Sequence, residues 1–104
     1  MEIPIPGWEG IPVMPGAIKG EITGFGYIYW VDATAEEIEI FYSDQMRLTN
    51  YSLVEQANVL SWYGHGILLQ FRRESSSEFV DIVLYANTDD DSLMVSIEKY
   101  IYHP

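Results

Sequence analysis

The amino-acid sequence predicts an α+β fold: a mostly antiparallel sheet of about five strands, with one central helix and a C-terminal helix. Strand-like alternation of apolar and polar residues occurs in two stretches, a hairpin and meander over 18–42 and a hairpin over 67–86. Helical spacing of apolar residues occurs at about 53–62 and again near the C-terminus. The chain has 104 residues, of which 48% are hydrophobic, and this predicts a single domain over 1–104.

The first 17 residues predict an extended N-terminal arm. They are rich in proline and glycine. Proline fixes φ and removes a hydrogen-bond donor, so the segment 1–17 is expected to be irregular or at most an edge strand. Its large apolar residues favour packing across one face of the sheet, whereas the spacing of Pro12 and Pro15 would also suit an arm that a partner binds.

Residues 18–32 predict a β-hairpin around the two-residue loop Gly24-Phe25. Glycine in the first loop position is typical of a type II′ turn, whose twist matches that of the flanking strands. This register places Lys19 opposite Trp30, where the ammonium group can contact the indole ring. Three further pairs form the expected core face: Ile22 with Tyr27, Gly20 with Tyr29 and Ile18 with Val31.

Residues 36–42 fit two structures. Thr34 and Glu37 have the spacing of a capping box, which would begin a helix. Apolar residues alternate between Ile38 and Tyr42, however, and the run is rich in β-branched and aromatic residues, which favours a strand. A third strand of the meander is the preferred interpretation.

Two helices are predicted in the second half of the chain. Ser52 and Glu55 form another capping-box pattern, and Gly64 has the position of a helix-ending glycine, so a helix is predicted over about 53–62. Apolar residues at helical spacing predict a C-terminal helix over 93–102, where alternation also permits a strand.

Residues 67–86 predict a second hairpin with a four-residue loop. The register places the oppositely charged Arg73 and Glu78 together at the loop end. The pairs on that face are Phe71 with Val80, Leu69 with Ile82 and Ile67 with Leu84. The pairs on the other face are Arg72 with Phe79, Gln70 with Asp81 and Leu68 with Val83.

Sixteen acidic residues against five basic ones give the chain a net charge of −11. This charge opposes direct binding to nucleic acid and to anionic membranes, and it favours rapid association with a basic protein. It is equally compatible with a purely solubilising role. The chain has no cysteine, and its first residues lack the basic region and apolar run of a secretion signal, so a cytoplasmic location is expected.

No motif in the sequence predicts catalysis or a cofactor. His65 lies between two glycines, with no candidate nucleophile near it in sequence. Asp81 interrupts an apolar strand, where we expect it to face outwards or to be paired with Arg72 or Arg73. The glycines form no nucleotide-binding pattern. We therefore expect a protein that is not an enzyme and needs no cofactor.

The segment 87–98 has the ligand spacing of a calcium-binding EF-hand loop, with oxygen-bearing side chains at positions 1, 3, 5 and 12. These candidate ligands are Asn87, Asp89, Asp91 and Glu98. The segment departs from that pattern, because position 1 is not Asp, position 6 is Ser92 instead of Gly, and a strand leads into it. A solvated turn is preferred, and binding of calcium or a small ligand is the alternative function.

The function that these patterns favour is binding of a basic protein partner through an acidic, aromatic surface. Such a protein would neutralise a toxin or a nucleic-acid-handling protein, as an immunity protein, an antitoxin or a nuclease or defence-system inhibitor does, by presenting carboxylates where phosphates would lie. Aromatic side chains would hold the complex. The predicted contact residues are Asp32, Glu36, Glu37, Glu39, Asp44, Trp30 and Phe41, with Asp89, Asp90 and Asp91 as a second cluster. The oligomeric state is not predicted.

Overall fold

A computed structural model describes residues 6–61, 63–86 and 92–101. They form a six-stranded antiparallel sheet with one helix against one face, and a short two-stranded ribbon. The predicted α+β class and the mostly antiparallel sheet are confirmed, with six strands in the main sheet instead of about five. The elements are β1 (Gly7–Trp8), β2 (Ile11–Pro12), β3 (Ala17–Ile22), β4 (Gly26–Val31), α1 (Ala35–Leu48), β5 (Tyr51–Ser61), β6 (Gly64–Arg73), β7 (Glu78–Ala86) and β8 (Leu93–Ile101).

The strands of the main sheet lie in the order β3-β4-β8-β7-β6-β5. The helix carries the chain from β4 to β5 at the far edge, and the meander from β5 to β8 returns until β8 pairs with β4. One face of the sheet, the inner face, packs against α1 and forms the main core. We call the opposite face the outer face.

The β3–β4 hairpin forms with most of the predicted register. Lys19 lies opposite Trp30, and its Nζ atom is 4.5 Å from the centre of the ring. An irregularity in β3 places Ala17, and not Ile18, opposite Val31, so the predicted pair of Ile18 with Val31 is wrong. Ile18 is 52% exposed and Ile22 65% exposed, because β3 is an edge strand and the inner core ends with the side chains of β4.

The turn of this hairpin differs from the predicted type II′ turn. Gly24 does not have the positive φ that this turn requires in its first loop position. Instead, the Thr23 hydroxyl oxygen accepts hydrogen bonds from the backbone N–H groups of Phe25, at 3.3 Å, and Gly26, at 2.9 Å. A threonine side chain, and not a glycine conformation, therefore stabilises the turn.

The strand predicted over 36–42 is wrong, because these residues belong to α1. The capping box is present: the Thr34 hydroxyl accepts from the Glu37 N–H, and the Glu37 carboxylate accepts from the Thr34 N–H. Ile38 and Tyr42 are buried and belong to both the strand pattern and the helix pattern. Met46 extends the buried set at the helical spacing of four residues, whereas Ile40 points to solvent.

The helix predicted over about 53–62 is also wrong. These residues form β5, an edge strand that pairs with β6 along almost its whole length. Gly64, placed in the prediction at a helix end, has a φ of +103° at the start of β6. The helical spacing was misleading because it counted Leu53, Val54 and Leu60 as core residues. These side chains are exposed on an edge strand.

The C-terminal helix predicted over 93–102 is wrong within the described residues, where β8 occupies that place. Val95 and Ile97 are fully buried on the inner face, whereas Met94 belongs to the apolar cluster on the outer face, as the alternation of a strand requires. β8 is hydrogen-bonded to strands on both sides, so its pairing outweighs the helical spacing of its apolar residues.

The hairpin predicted over 67–86 is confirmed. All six predicted pairs between Ile67 and Arg72 on one strand and Phe79 and Leu84 on the other occur in β6 and β7. Arg73 and Glu78 form an ion pair at the loop end, with 3.7 Å between Nε and Oε2.

The N-terminal arm packs across the inner face, as expected, and also forms the β1–β2 ribbon, which was not predicted. Ile11 and Val13 are buried in the main core. Residues 1–5 of the predicted arm lie outside the described residues. The ribbon turns at Glu9 and Gly10, which both have positive φ, and the Lys99 ammonium group donates to the Glu9 carbonyl at 3.1 Å.

A chain of hydrogen bonds joins the arm to the core. The Met14 N–H donates to the Tyr29 hydroxyl at 3.3 Å, the two hydroxyl oxygens of Tyr29 and Tyr42 are 2.7 Å apart, and Tyr42 donates to the Pro12 carbonyl at 2.9 Å. Burial raises the pKa of Tyr29 to about 12 and that of Tyr42 well above its usual value. Both hydroxyls therefore stay protonated at neutral pH.

Among the described residues, no helix has the length and apolar character needed to cross a membrane.

Candidate functional site

The solvent side of α1 presents carboxylates around two exposed apolar side chains. Glu36, Ile40, Asp44 and Leu48 follow one another at intervals of four residues and therefore lie along one side of the helix. Ile40 is 54% exposed and Leu48 is 74% exposed. We define the acidic helix face as Asp32, Glu36, Glu37, Ile40, Asp44 and Leu48.

The carboxylates at the start of α1 are exposed. Asp32 precedes the capping residue, and Glu36 and Glu37 occupy the first turn, where the helix dipole stabilises negative charge. Hydrogen bonds from the backbone and the side chain of Thr34 lower the pKa of Glu37. This carboxylate therefore keeps its charge when the solution becomes mildly acidic.

Two predicted contact residues of α1 have partners within the chain. Glu39 is half-buried, and its Oε1 atom accepts a hydrogen bond of 2.7 Å from the Gln56 side chain on β5. Asp44 is paired with Arg47 at 3.4 Å, but both side chains are mostly exposed, so this pair contributes little. Glu39 thus belongs to the packing of the helix on the sheet, and Asp44 remains accessible.

The structure does not bring the two predicted aromatic anchors to the acidic helix face. Trp30 lies on the outer face of the sheet, beneath Lys19, whereas α1 packs on the inner face. Phe41 is half-buried against the main core, with its ring edge-on to Tyr42 at 5.0 Å between centres. The exposed apolar residues beside the acids are Ile40 and Leu48 instead. Helical spacing from Glu36 would have identified them.

The outer face of the sheet carries a second, smaller apolar cluster. Its buried members are Ile28, Tyr85 and Met94, and Trp30 and Val83 pack against them. Every one of these residues belongs to a strand, so among the described residues neither α1 nor the arm contributes to the cluster. No pattern in the sequence predicts this surface, because it depends on which strands are neighbours.

A row of polar side chains crosses the outer face beside this cluster. Strand pairing aligns Glu55, Gln70, Asp81 and Glu98 on four successive strands. Burial is the main cause that raises the pKa of Asp81 and of Glu98, and the charge of Asp81 raises that of Glu98 further. Three carboxylates therefore lie in one row, and two of them are partly removed from water.

Asp81 is paired with neutral groups. Its Oδ1 atom accepts hydrogen bonds from the Gln70 amide at 3.1 Å and from the Tyr100 hydroxyl at 3.2 Å. Of the two expected alternatives, Asp81 lies on the outer face and is not paired with an arginine, because Arg72 donates to the Ser76 carbonyl at 2.8 Å and Arg73 pairs with Glu78. Among the described residues, the ion pairs thus leave Asp81 out.

The remaining candidate residues form no metal site that the structure describes. Asn87, Asp89, Asp90 and Asp91 lie outside the described residues. Glu98 lies within β8, and the segment 87–91 is flanked by two strands, whereas an EF-hand loop is flanked by two helices. Within the described ranges, no three His, Asp or Glu side chains form a group that could hold a metal ion.

His65 lines a shallow groove of about 300 Å³ on the inner side of the sheet. Ala35 at the start of α1, Asn58 on β5 and the apolar side chains of Ile67 and Leu84 form its walls. Asp81 belongs to the outer face, so the sheet separates the two residues that an enzymatic interpretation would combine.

The described residues thus form two candidate surfaces, the acidic helix face and the outer face of the sheet. Comparison of the chain with protein-family models, with curated proteins and with solved structures found no match.

Proposed function

We propose that the protein binds a basic protein partner through the acidic helix face and neutralises or inhibits that partner. An immunity protein, an antitoxin or an inhibitor of a nuclease or defence system has this kind of function. The observation that carries the proposal is the arrangement on α1, where exposed carboxylates surround the exposed side chains of Ile40 and Leu48. Carboxylates accelerate the encounter with a basic protein, and apolar side chains within the contact hold the complex.

The distribution of basic residues supports this choice of surface. Arg47 is the one basic residue of α1, against four acidic residues. Lys19 lies over Trp30 on the outer face, and Arg73 and Lys99 are both within 4 Å of Glu78. The net charge of −11 is therefore poorly compensated at the acidic helix face.

The charge also indicates the class of partner. Nucleic acids and anionic membranes carry phosphates, which the carboxylates of the acidic helix face would repel. A protein surface that itself binds phosphates is rich in Lys and Arg and would attract the same carboxylates. We therefore propose a nucleic-acid-handling or toxin-like protein as the partner, a cytoplasmic site of action, and a role in binding and not in catalysis.

The test compares two variants that have the same net charge. In the first, Glu36→Lys and Asp44→Lys reverse two carboxylates of the acidic helix face that have no structural role in the helix cap. In the control, Glu21→Lys and Glu74→Lys reverse two exposed carboxylates on other parts of the surface. Proteins captured by the wild type from a host lysate at low salt are identified, and each purified candidate is then measured for its association rate with all three proteins.

We expect the wild type and the control to capture a basic protein that the helix variant does not capture. The association rate with that protein should fall with increasing salt for the wild type, and this dependence should be weaker for the helix variant. Equal losses in both variants would mean that only total charge matters. Unchanged binding by the helix variant would exclude the acidic helix face.

A further inference from the structure

β5 forms one edge of the main sheet over eleven residues, Tyr51–Ser61. It pairs with β6 on one side, and among the described residues no strand pairs with its other side. In an edge strand, every second residue directs its backbone N–H and C=O groups away from the sheet, where they can pair with another strand. Except for Tyr51, Ala57 and Val59, the residues of β5 are exposed to solvent. The edge is therefore accessible to a further strand.

β5 lacks most of the features that keep a sheet edge from pairing. Natural edge strands are commonly protected by charged side chains, above all lysine, by proline, or by being short. Among its eleven residues β5 has a single charged side chain, Glu55, and no proline. The other edge strand of the sheet, β3, has six residues and carries Lys19 and Glu21. Of the two edges, β3 is thus protected and β5 is open.

An irregularity at Val54 divides β5 into two regular parts. Leu53 is paired with Phe71 and Glu55 with Gln70, so Val54 is an extra residue between two successive pairs. Because of this extra residue, the alternation of side chains shifts by one position at that point. The residues of β5 on the inner face are Leu53, Gln56, Asn58 and Leu60. Those on the outer face are Ser52, Glu55, Ala57, Val59 and Ser61.

Without the extra residue, the sequence of β5 is nearly symmetric about Ala57. The residues from 52 to 61 are then Ser-Leu-Glu-Gln-Ala-Asn-Val-Leu-Ser. At equal distances from Ala57 in the two directions there are two amides, then Glu55 and Val59, then two leucines, and then two serines. The members of each of these four pairs lie on the same face of the sheet. Two β5 strands related by a twofold axis at Ala57 would therefore place these pairs directly opposite each other.

We propose that two copies of this chain form a dimer by antiparallel pairing of their β5 strands. Leu53 of each copy lies opposite Leu60 of the other copy in this register. Leu53 is 44% exposed and Leu60 is 72% exposed in the single chain, so the pairing removes apolar surface from water. Glu55 lies opposite Val59 of the other copy, so no two like charges are opposed. The two six-stranded sheets become one sheet of twelve strands.

The symmetry of β5 is what favours a second copy of the chain as the occupant. A strand of a different protein needs no such symmetry in β5. Pairing of β5 with β3 of another copy would leave one open edge on each copy, so it would continue into a filament and not close. The charged residues Lys19 and Glu21 of β3 also disfavour it.

The net charge of −11 on each copy opposes the dimer. Glu55 is the one acidic residue that β5 contributes, so most of the repulsion acts over a longer distance and is screened by salt. Salt should therefore strengthen the dimer, whereas it should weaken the binding of a basic partner to the acidic helix face. The dimer does not depend on the proposed function.

The experiment measures sedimentation velocity of the full-length protein from about 5 to about 500 µM, at about 50 and about 300 mM NaCl. Leu53→Lys with Leu60→Lys places lysines opposite each other in the proposed register. Leu53→Lys with Leu60→Glu places a lysine opposite a glutamate instead. The matched control, Ile18→Lys with Ile22→Lys, adds two lysines at exposed positions of the β3 edge. Amide hydrogen exchange shows whether the backbone of β5 is paired and whether each variant is folded.

We expect a wild-type dimer that dissociates on dilution and is more stable at the higher salt concentration. The double-lysine variant of β5 should dimerise at least tenfold more weakly, although its net negative charge is smaller. The lysine–glutamate variant should dimerise at least fivefold more tightly than the double-lysine variant, because opposite charges then face each other. The β3 control should keep the dimer. Alternate amides of β5 should exchange at least tenfold more slowly in the dimer than in the monomer.

Two further measurements separate this inference from the proposed function. The double-lysine variant of β5 should still capture the basic partner, because it leaves the acidic helix face intact. The helix variant Glu36→Lys with Asp44→Lys should still dimerise, since neither residue belongs to β5. Each proposal can therefore fail while the other holds.

Four outcomes would overturn the inference. The first is a monomer at the highest protein and salt concentrations. The second is equal dimerisation of the wild type and the double-lysine variant of β5, or of the two β5 variants. The third is loss of the dimer in the β3 control, which would place the interface at the other edge. The fourth is assembly into species larger than a dimer, which a closed twofold pairing does not allow.

Discussion

The hydroxyl groups of Tyr29 and Tyr42 connect the N-terminal arm to the core, and the donor of each hydrogen bond between them can be assigned. Tyr42 donates its proton to the Pro12 carbonyl, so the hydrogen bond between the two tyrosines must be donated by Tyr29. The Tyr29 oxygen in turn accepts from the Met14 N–H. Each hydroxyl therefore serves two partners, and removing one hydroxyl deprives both of its partners of a hydrogen bond.

Tyr42→Phe should lower the free energy of unfolding by about 1–3 kcal/mol, because the Pro12 carbonyl and the Tyr29 hydroxyl each lose a partner in the interior. Urea unfolding at neutral pH measures the effect. Tyr63→Phe is the matched control, since Tyr63 is 54% exposed, and we expect a change within about 0.5 kcal/mol. Equal effects of the two substitutions would show that the buried chain of hydrogen bonds does not stabilise the arm.

Glu98 gives a pH-dependent prediction. Burial and the Asp81 charge raise its pKa, so the folded protein binds this proton more tightly than the unfolded protein does. The resulting stabilisation is fully present below the ordinary glutamate pKa of about 4.3 and is lost as pH rises through the folded pKa. At neutral pH, the ionised carboxylate therefore makes a net unfavourable contribution.

Glu98→Gln should raise the free energy of unfolding near pH 7. The gain should be below about 1 kcal/mol, because the carboxyl is partly exposed and screened by solvent. The difference from the wild type should disappear near pH 3, where Glu98 is protonated in both states. Urea unfolding over this pH range tests the prediction, with Glu21→Gln on the exposed edge strand as control. A difference independent of pH would contradict it.

At the scale of elements, the capping box decided the structure of residues 36–42. The spacing of Thr34 and Glu37 predicts a helix, whereas the alternation from Ile38 to Tyr42 predicts a strand, and the strand was the preferred prediction. Three apolar residues at 38, 40 and 42 fit a strand, while 38, 42 and 46 fit a helix. A longer window that included Met46 would have favoured the helix.

Thr34→Ala should lower the free energy of unfolding by about 1 kcal/mol, because the Glu37 N–H at the start of α1 loses its acceptor. Urea unfolding again provides the measurement. Ser43→Ala on the exposed side of the same helix is the control and should change stability by no more than about 0.5 kcal/mol. A loss confined to the control would rule out the cap as a determinant of stability.

The alternation of apolar residues predicted the structure correctly where both strands of a hairpin supported the same register. The β6–β7 register followed from matching pairs such as Leu69 with Ile82, because an error of one residue would have reversed every side chain. β5 and β8 had no such internal check. Their strand neighbours are either distant in sequence or follow a turn that no sequence pattern indicates. The helical spacing of their apolar residues therefore predicts helices, although pairing within the sheet makes both segments strands.

At the scale of the whole molecule, strand order decides which residues share a surface. Glu55, Asp81 and Glu98 are spread over 44 positions of the chain, and only the order β8-β7-β6-β5 aligns them. The acidic helix face could be anticipated in part, since its acids are close in sequence. The outer face could not be anticipated, because no local pattern reports the position of β8 between β4 and β7.

That position of β8 has a consequence for the synthesis of the chain. β8 follows the other described strands in sequence, yet it is hydrogen-bonded between β4 and β7. Until the ribosome has released residues 93–101, the β3–β4 hairpin and the β5–β7 meander are two pieces that each expose an unpaired edge. The nascent chain must therefore remain incompletely folded during translation, and its apolar edges are most open to aggregation or to chaperones at that stage.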